Sequence, residues 1–316
     1  MTTYNADNRP LAATIGFFDG VHLGHRYLIE QLTRQAEQRD MATAVVTFAN
    51  HPRSVVGCDY LPELLLSAEE KTKRLEACGL DKVVVLTFTP ELAAMSAESF
   101  MTFLHERYGV GLLMIGHDHH FGSRRNETFE DYRRYGERLG VEVVRALPLL
   151  QDELAVSSSR VRRALQNGEV TEAASLLGYP YSIAGVVKHG DQIGRTIGFP
   201  TANLRLTEAH RIIPTEGVYA VRVTMPYGGA QLGGVLYIGY RPTVEGHELR
   251  IEVHIIGYEG ELYGERLTLE LVARLGDSLR YSSTEALSEG VARFCLAAKE
   301  HLETYAGRTH DSATDD

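Results

Sequence analysis

The periodicity of this chain changes at Tyr179-Pro180, and no single architecture accommodates what lies on either side. Before that point short apolar runs alternate with amphipathic stretches. Ala12–Phe17 is apolar, and Arg26–Arg39 follows with Leu28, Ile29, Leu32 and Ala36 on one helical face. Thr43–Phe48, Lys82–Phe88, Leu112–Ile115 and Val141–Arg145 repeat the strand pattern. Between them fall helices near Ala97–Tyr108 and Phe129–Leu139, and one opened by the capping box Ser67-Ala68-Glu69-Glu70 and closed by Gly79. Two shorter helices end at Gly168 and Gly178. Strands spaced by helices pair in parallel, which predicts a doubly wound α/β sheet.

Past the break, helical spacing stops and glycines separate short β-branched runs: Ile183–Lys188, Gly217–Thr224, Gly234–Ile238, Ile251–Tyr258 and Leu267–Ala273. That texture predicts an all-β unit, an antiparallel barrel or sandwich, with hairpin turns at 227–229 and 259–261. A closing helix is expected after the Ser282-x-x-Glu285 cap, with Leu287, Val291, Phe294, Ala298 and Leu302 as its apolar stripe. With 316 residues, two domains are the natural division. We place them at 1–181 and 182–306, with 307–316 a disordered tail.

The net charge of −10 argues against a general nucleic-acid binder, so an anionic ligand must be met by local positive charge. Cys58, Cys78 and Cys295 form no metal-binding or paired pattern. There is no basic-then-apolar leader and no apolar run long enough to span a bilayer, so a reduced, cytoplasmic setting without membrane partners is expected. Oligomerisation is not implied.

Chemistry concentrates first at Gly16-Phe17-Phe18-Asp19-Gly20-Val21-His22-Leu23-Gly24-His25. A strand ends, a turn follows and a helix opens, which is where backbone N–H groups and the helix dipole favour a phosphate. Imidazoles there can donate to phosphoryl oxygens as charge develops. A metal-ligand pair would need a third ligand, and none is obvious. One histidine could be a cap or a packing residue, but the preceding strand and Asp19-Gly20 supply the context that favours the phosphate reading.

The whole stretch resembles the ATP site of the nucleotidyltransferase superfamily, most closely that of bacterial FAD synthetases. The resemblance implies attack on the α-phosphate of ATP with loss of pyrophosphate, with Gly16, Phe17, Asp19 and Gly24 at the nucleotide and His22 and His25 catalytic. Gly116–Gly122 is similar to that family's GxDxxFG segment, making Asp118 its polar position. Val156-Ser157-Ser158-Ser159-Arg160 is similar to its ISSTR segment, which opens a helix near the phosphates. This places Ser158, Ser159 and Arg160 among the nucleotide ligands.

A second signature lies past the break. Gly190–Gly198 is a glycine-rich loop after a strand, and Pro200-Thr201-Ala202-Asn203 follows with hydroxyl and amide oxygens suited to Mg²⁺. The combined stretch resembles bacterial riboflavin kinases. The likeness implies that Gly190, Gly194, Gly198 and Pro200 meet ATP, and that Thr201 and Asn203 hold Mg²⁺. On Ile251–Ile255 the apolar residues share one face, leaving Glu252 and His254 on the other. The family's EVH segment makes Glu252 the general base that accepts the proton of the ribityl 5′-hydroxyl. Arg241-Pro242-Thr243 and Leu262-Tyr263-Gly264 fit the same pattern. Two positions depart from it: Tyr237 stands where relatives often carry Asn, and Gly276-Asp277 where they tend to carry Arg-Asp.

The likeness to bifunctional riboflavin kinase/FAD synthetases thus implies two ATP- and Mg²⁺-dependent steps, riboflavin to FMN and FMN to FAD. Two alternatives stand beside it. One is an enzyme with a single working half; the other is a non-catalytic flavin-binding regulator.

Overall fold

The computed structural model describes residues 9–57, 61–117, 120–123, 126–190, 192–208, 210–226, 231–243, 246–278 and 281–311. Contacts divide the chain into two compact units, 1–158 and 159–316.

The first unit runs β1 (Leu11–Ile15), α1 (Leu23–Glu37), β2 (Ala42–Phe48), α2 (Ala68–Glu76), β3 (Lys82–Leu86), α3 (Pro90–Ala94), α4 (Ala97–Tyr108), β4 (Val110–Ile115), α5 (Phe129–Leu139) and β5 (Glu142–Arg145). Its strands form a parallel sheet in the order β3-β2-β1-β4-β5. Every residue of β1 and β2 is buried, as expected of central strands covered on both faces. Leu11, Ala13 and Ile15 point to the α4–α5 side, where Phe100, Met101, Leu104 and Tyr132 complete the core. Ala12 points to the other side, against Leu32 and Ala36 of α1. The Ser67/Glu70 capping box forms as read from the sequence, and α4 and α5 end on left-handed Gly109 and Gly140. A small antiparallel pair, β6 (Leu150–Gln151) and β7 (Leu154–Ala155), has no forecast in the sequence pattern.

The division falls at the first residue of the helix α6 (Ser158–Gln166), whose remainder opens the second unit and is followed by α7 (Val170–Leu177). Its strands are β8 (Ser182–Lys188), β9 (Ala202–Leu206), β10 (Gly217–Thr224), β11 (Gln231–Thr243), β12 (Gly246–Ile255) and β13 (Arg266–Gly276). A short helix α8 (Ile193–Thr196) lies between β8 and β9. The strands close into an antiparallel barrel in the order β10-β11-β12-β9-β8-β13, which decides between the two all-β readings. Ile251, Val253 and Ile255 are buried, and Glu252 and His254 lie on the half-exposed side. The helix α9 (Thr284–Asp311) packs on β10, β11 and β13. There Phe294 and Ala298 meet Val218, Ala220 and Val235.

Three details differ from the sequence expectation. The 259–261 turn joins no hairpin, because β12 and β13 are not neighbours and the chain passes β9 and β8 to reach the next pairing. The cap of α9 is Ser283, whose Oγ accepts the Ala286 N–H at 3.2 Å, one residue after the expected Ser282. The helical stretch 159–181 clusters with the barrel: α7 packs on β13, and the Leu271 N–H donates to the Tyr181 carbonyl at 2.8 Å. The turn at 227–229 lies outside the described residues, as do 312–316, while α9 itself runs on to Asp311.

Candidate active sites

The first site is built where β1 ends and α1 begins. The chain leaves the buried sheet through a turn in which Phe18, Gly20 and Val21 take φ of 56°, 86° and 35°. Two of these left-handed residues are not glycine, a strain that persists only where packing over-determines it. Phe18 and Val21 supply that packing, buried against Ile29, Val45, Leu66 and Leu75.

His22 is buried and caps α1, its Nδ1 accepting the His25 N–H at 3.2 Å. The two imidazoles stack with centroids 3.6 Å apart and planes 17° from parallel. Phe18 holds the His25 ring edge-on at 5.0 Å. Both rings are thereby fixed at the first turn of a helix, where the dipole and backbone N–H groups favour phosphate.

Gly24 follows from a close approach, since a Cβ there would lie 2.7 Å from the Val156 carbonyl oxygen. Ser158 completes the junction, its Oγ donating to the Asp19 carbonyl at 2.8 Å. The structure therefore brings Gly24, Ser158 and both histidines together.

Asp19 is turned inward. Its carboxylate accepts the Leu65 N–H at 3.0 and 3.1 Å and the Leu66 N–H at 3.2 Å, which pins the loop leading into α2. Gly16 lies at the end of β1, where its N–H donates to the Val46 carbonyl at 3.1 Å. Phe17 lines a cavity of about 220 Å³ together with Ile15, Phe48, Phe88, Phe100 and Phe121. Asp118 lies outside the described residues; neighbouring His120 contributes to the cavity wall. Ser159 and Arg160 belong to the second unit, where the Arg160 guanidinium is 3.4 Å from Glu172.

Lys71 stands behind this turn and was not singled out in the sequence. It is 2% exposed; its Nζ donates to the Phe48 carbonyl at 2.7 Å and lies 3.7 Å from the Phe17 ring centroid. Burial pulls its pKa from 10.5 down to about 8, against the attraction of the Asp19 carboxylate. The signal was present: Lys71 precedes Leu75 by four residues, so both occupy the buried face of α2.

The second site lies across one row of the barrel. Register pairs Lys188 with Asn203, Asn203 with Glu252, Glu252 with Tyr237 and Tyr237 with Val218. Directly paired residues share a face, so Glu252 stands beside Asn203 on the side of β12 opposite the buried Ile251 and Val253. The Thr201 hydroxyl donates to Glu252 Oε2 at 3.4 Å, and Arg250 donates to Oε1 at 3.3 Å. Arg250, two residues before Glu252 on the same strand face, is a further partner that period-two spacing makes legible. His254 Nδ1 is 2.9 Å from the Pro200 carbonyl oxygen, which fixes the approach to Thr201.

The glycine-rich loop wraps this row. A Cβ on Gly190 would lie 2.2 Å from Asn203 Nδ2, so only glycine lets that amide lie against the loop. Gly194 lies in α8 and Gly198 just beyond it, with φ of 84°. A cavity of about 80 Å³ adjoins, lined by Arg195, Pro200, Thr201, Glu261 and Tyr263 among others. Thr201, Asn203 and Glu252 together present hard oxygen donors, the chemistry that Mg²⁺ prefers.

The two departures have visible surroundings. Tyr237 Oη is 3.1 Å from Ser278 Oγ, tying β11 to the segment just after Gly276-Asp277. Arg274 bonds Asp277 at 2.8 Å and the Glu216 carbonyl at 3.0 Å, and so braces this corner. Arg241–Thr243 form the end of β11, with side chains outside the described residues. Gly264 donates to the Val187 carbonyl at 2.9 Å, holding the 262–264 segment to β8.

Comparison with known proteins adds independent weight. Residues 4–160 match the FAD synthetase family and residues 177–302 the riboflavin kinase family. The chain is 36% identical over 288 residues to the bifunctional riboflavin kinase/FMN adenylyltransferase of Escherichia coli K12, covering 91% of each. It is 37% identical over 296 residues to the protein of that name from Pseudomonas fluorescens, with 93% of each covered. For the Bacillus subtilis protein of the same name the figures are 35% over 290 residues and 88% of each. A crystal structure from Streptococcus pneumoniae, described as a macrolide-efflux protein, matches with a TM-score of 0.83 and 29% identity, covering 92% of this chain and 94% of that one. Efflux belongs to that chain's description; among the described residues here, no helix is long and apolar enough to cross a membrane. With both family matches in sequence order and such identity over nine-tenths of its length, this chain belongs to the bifunctional riboflavin kinase/FMN adenylyltransferase family.

Proposed function

We propose that the barrel phosphorylates riboflavin to FMN and that the α/β unit adenylylates FMN to FAD, each step consuming ATP. The observation that supports this reading is the presence of two separate constellations with the chemistry to meet phosphate, the stacked His22/His25 pair at the start of α1 and the Thr201–Asn203–Glu252 cluster on the barrel.

In the barrel, Glu252 accepts the proton of the ribityl 5′-hydroxyl as that oxygen attacks the γ-phosphate and ADP leaves. Thr201 and Asn203 are the residues that would hold Mg²⁺, which supplies charge neutralisation at the phosphates. Gly190, Gly194, Gly198 and Pro200 shape the loop around the nucleotide. In the α/β unit the flavin ring seats in the aromatic cavity, and the FMN phosphate attacks the α-phosphate of ATP with release of pyrophosphate. His22 and His25 stabilise the charge that develops. Gly16, Phe17, Gly24 and Ser158 form the walls of the turn, and Asp19 holds its shape. Asp118, Ser159 and Arg160 complete the nucleotide contacts by family resemblance. We take the two catalytic halves as 1–181 and 182–306; the gap between the family matches, 161–176, falls just before that division. A cytoplasmic enzyme acting on small molecules alone fits this reading.

Chromatography of products from riboflavin, ATP and Mg²⁺ tests it. FMN should appear first and FAD after it. FMN alone would leave a single working half, and no product would leave a non-catalytic flavin binder. His25→Ala should stop FAD formation from supplied FMN while sparing the kinase step.

A further inference from the structure

Lys71 is a buried cation that the chemistry above does not use. Its ammonium group donates to the Phe48 carbonyl at 2.7 Å and sits 3.7 Å from the Phe17 ring centroid, and Phe17 and Phe48 both line the aromatic cavity. The charge acting on it from outside α2 is that of Asp19, whose carboxylate holds Leu65 and Leu66 just ahead of the helix. At the start of that helix the Ser67/Glu70 box fixes its first turn. Lys71 is thus the point where the nucleotide turn, the end of β2 and α2 are tied together.

Stability does not ask for a lysine here. An unbranched apolar side chain of similar length would fill the same space without the desolvation penalty of a buried ammonium. What such a residue could not do is hold a carbonyl and a ring face at once.

We infer that Lys71 is a positioning residue for FMN adenylylation: by fixing Phe17 and Phe48 to α2 it sets the cavity walls that seat the flavin ring, so that the FMN phosphate reaches His22 and His25. The inference rests on the adenylylation reading of this turn. It asks nothing of the kinase half.

The test uses the full chain carrying Lys71→Met or Lys71→Arg, with supplied FMN, ATP and Mg²⁺. Riboflavin phosphorylation by the same preparation is the control for folding. Lys71→Met should raise the KM for FMN by about tenfold or more, since a small displacement of a seated substrate is felt strongly. The KM for ATP and the kinase rate should stay at wild-type values. Lys71→Arg should recover most of the loss, because a guanidinium also donates to a carbonyl and lies over a ring. Should Lys71→Met not fold, Lys71→Gln, which keeps a donor for the Phe48 carbonyl and loses only the charge over the Phe17 ring, should show a smaller rise in the same KM. An unchanged KM for FMN overturns the inference, and so does a parallel fall of both activities. A wild-type chain that makes no FAD from FMN overturns the adenylylation reading itself, which is a different result.

Discussion

Replacing Lys71 by methionine should make the protein's stability respond to pH in a way that can be worked out in advance. The ammonium titrates near 10.5 in the unfolded chain and at about 8 in the folded one. A folded-state value below the unfolded one means that the folded protein disfavours the charged form. At pH 7 both states are protonated, and the buried charge costs about 3 kcal/mol. As pH rises through the window from about 8 to 10.5, the unfolded chain binds more protons than the folded one, and that cost is relieved. Methionine carries no such term. It does strand the Phe48 carbonyl, at about 1–3 kcal/mol. The variant should therefore be as stable as wild type or up to about 2 kcal/mol more stable at pH 7. By pH 10 the balance should move toward wild type by about 2–3 kcal/mol. Urea unfolding of the full chains, followed by far-ultraviolet circular dichroism at both pH values, reads this directly. Other alkaline groups titrate in both proteins and cancel in the difference. A gap between the two proteins that is the same at pH 7 and pH 10 would refute the reasoning.

Further outcomes follow from the same geometry. Glu252→Gln should lower riboflavin phosphorylation by roughly 10²–10⁴-fold and leave FAD formation from supplied FMN intact; an unchanged kinase rate would remove Glu252 as the base. Gly190→Ala drives a methyl group into the Asn203 amide. It should cripple the kinase step alone, measured as FMN formed from riboflavin. Asp19→Asn weakens the hold on Leu65 and Leu66 and removes the negative charge facing Lys71. Adenylylation and the melting temperature of the first unit should fall together, with the kinase rate as control. Ser67→Ala removes the cap of α2 and should cost about 1 kcal/mol of stability in urea unfolding, with little change in either activity.

Much of this was legible because it is local. Leu28, Ile29, Leu32 and Ala36 announce α1 by spacing alone, and the Ser67/Glu70 box needs only its own four residues. The alternation along Ile251–Ile255 separates the buried face of the barrel from the side that carries Glu252 and His254 before any partner strand is known. What escaped is long-range. That β12 is followed by a crossing and not a hairpin depends on β9 and β8 lying between it and β13. The small β6–β7 pair has little apolar alternation to betray it, since Leu150 and Leu154 are both exposed. Residues 159–181 keep helical texture while packing with the barrel, because periodicity reports the element and not its neighbour. Asp19 reads as a ligand in the motif and shows itself as a brace only once Leu65 and Leu66 are brought to it.

The alternation on β12 also bears on how such proteins diverge. Ile251, Val253 and Ile255 hold the barrel together while Glu252 and its partner Arg250 face the other way, so architecture and the proposed chemistry are written on opposite sides of one strand. Selection can erase one without disturbing the other. A descendant that lost Glu252 would keep the barrel, melt at a similar temperature and superpose on its active relatives. On the proposed role of Glu252, then, shape within this family records ancestry, and whether the kinase half is still at work must be asked of a single carboxylate and the oxygens around it.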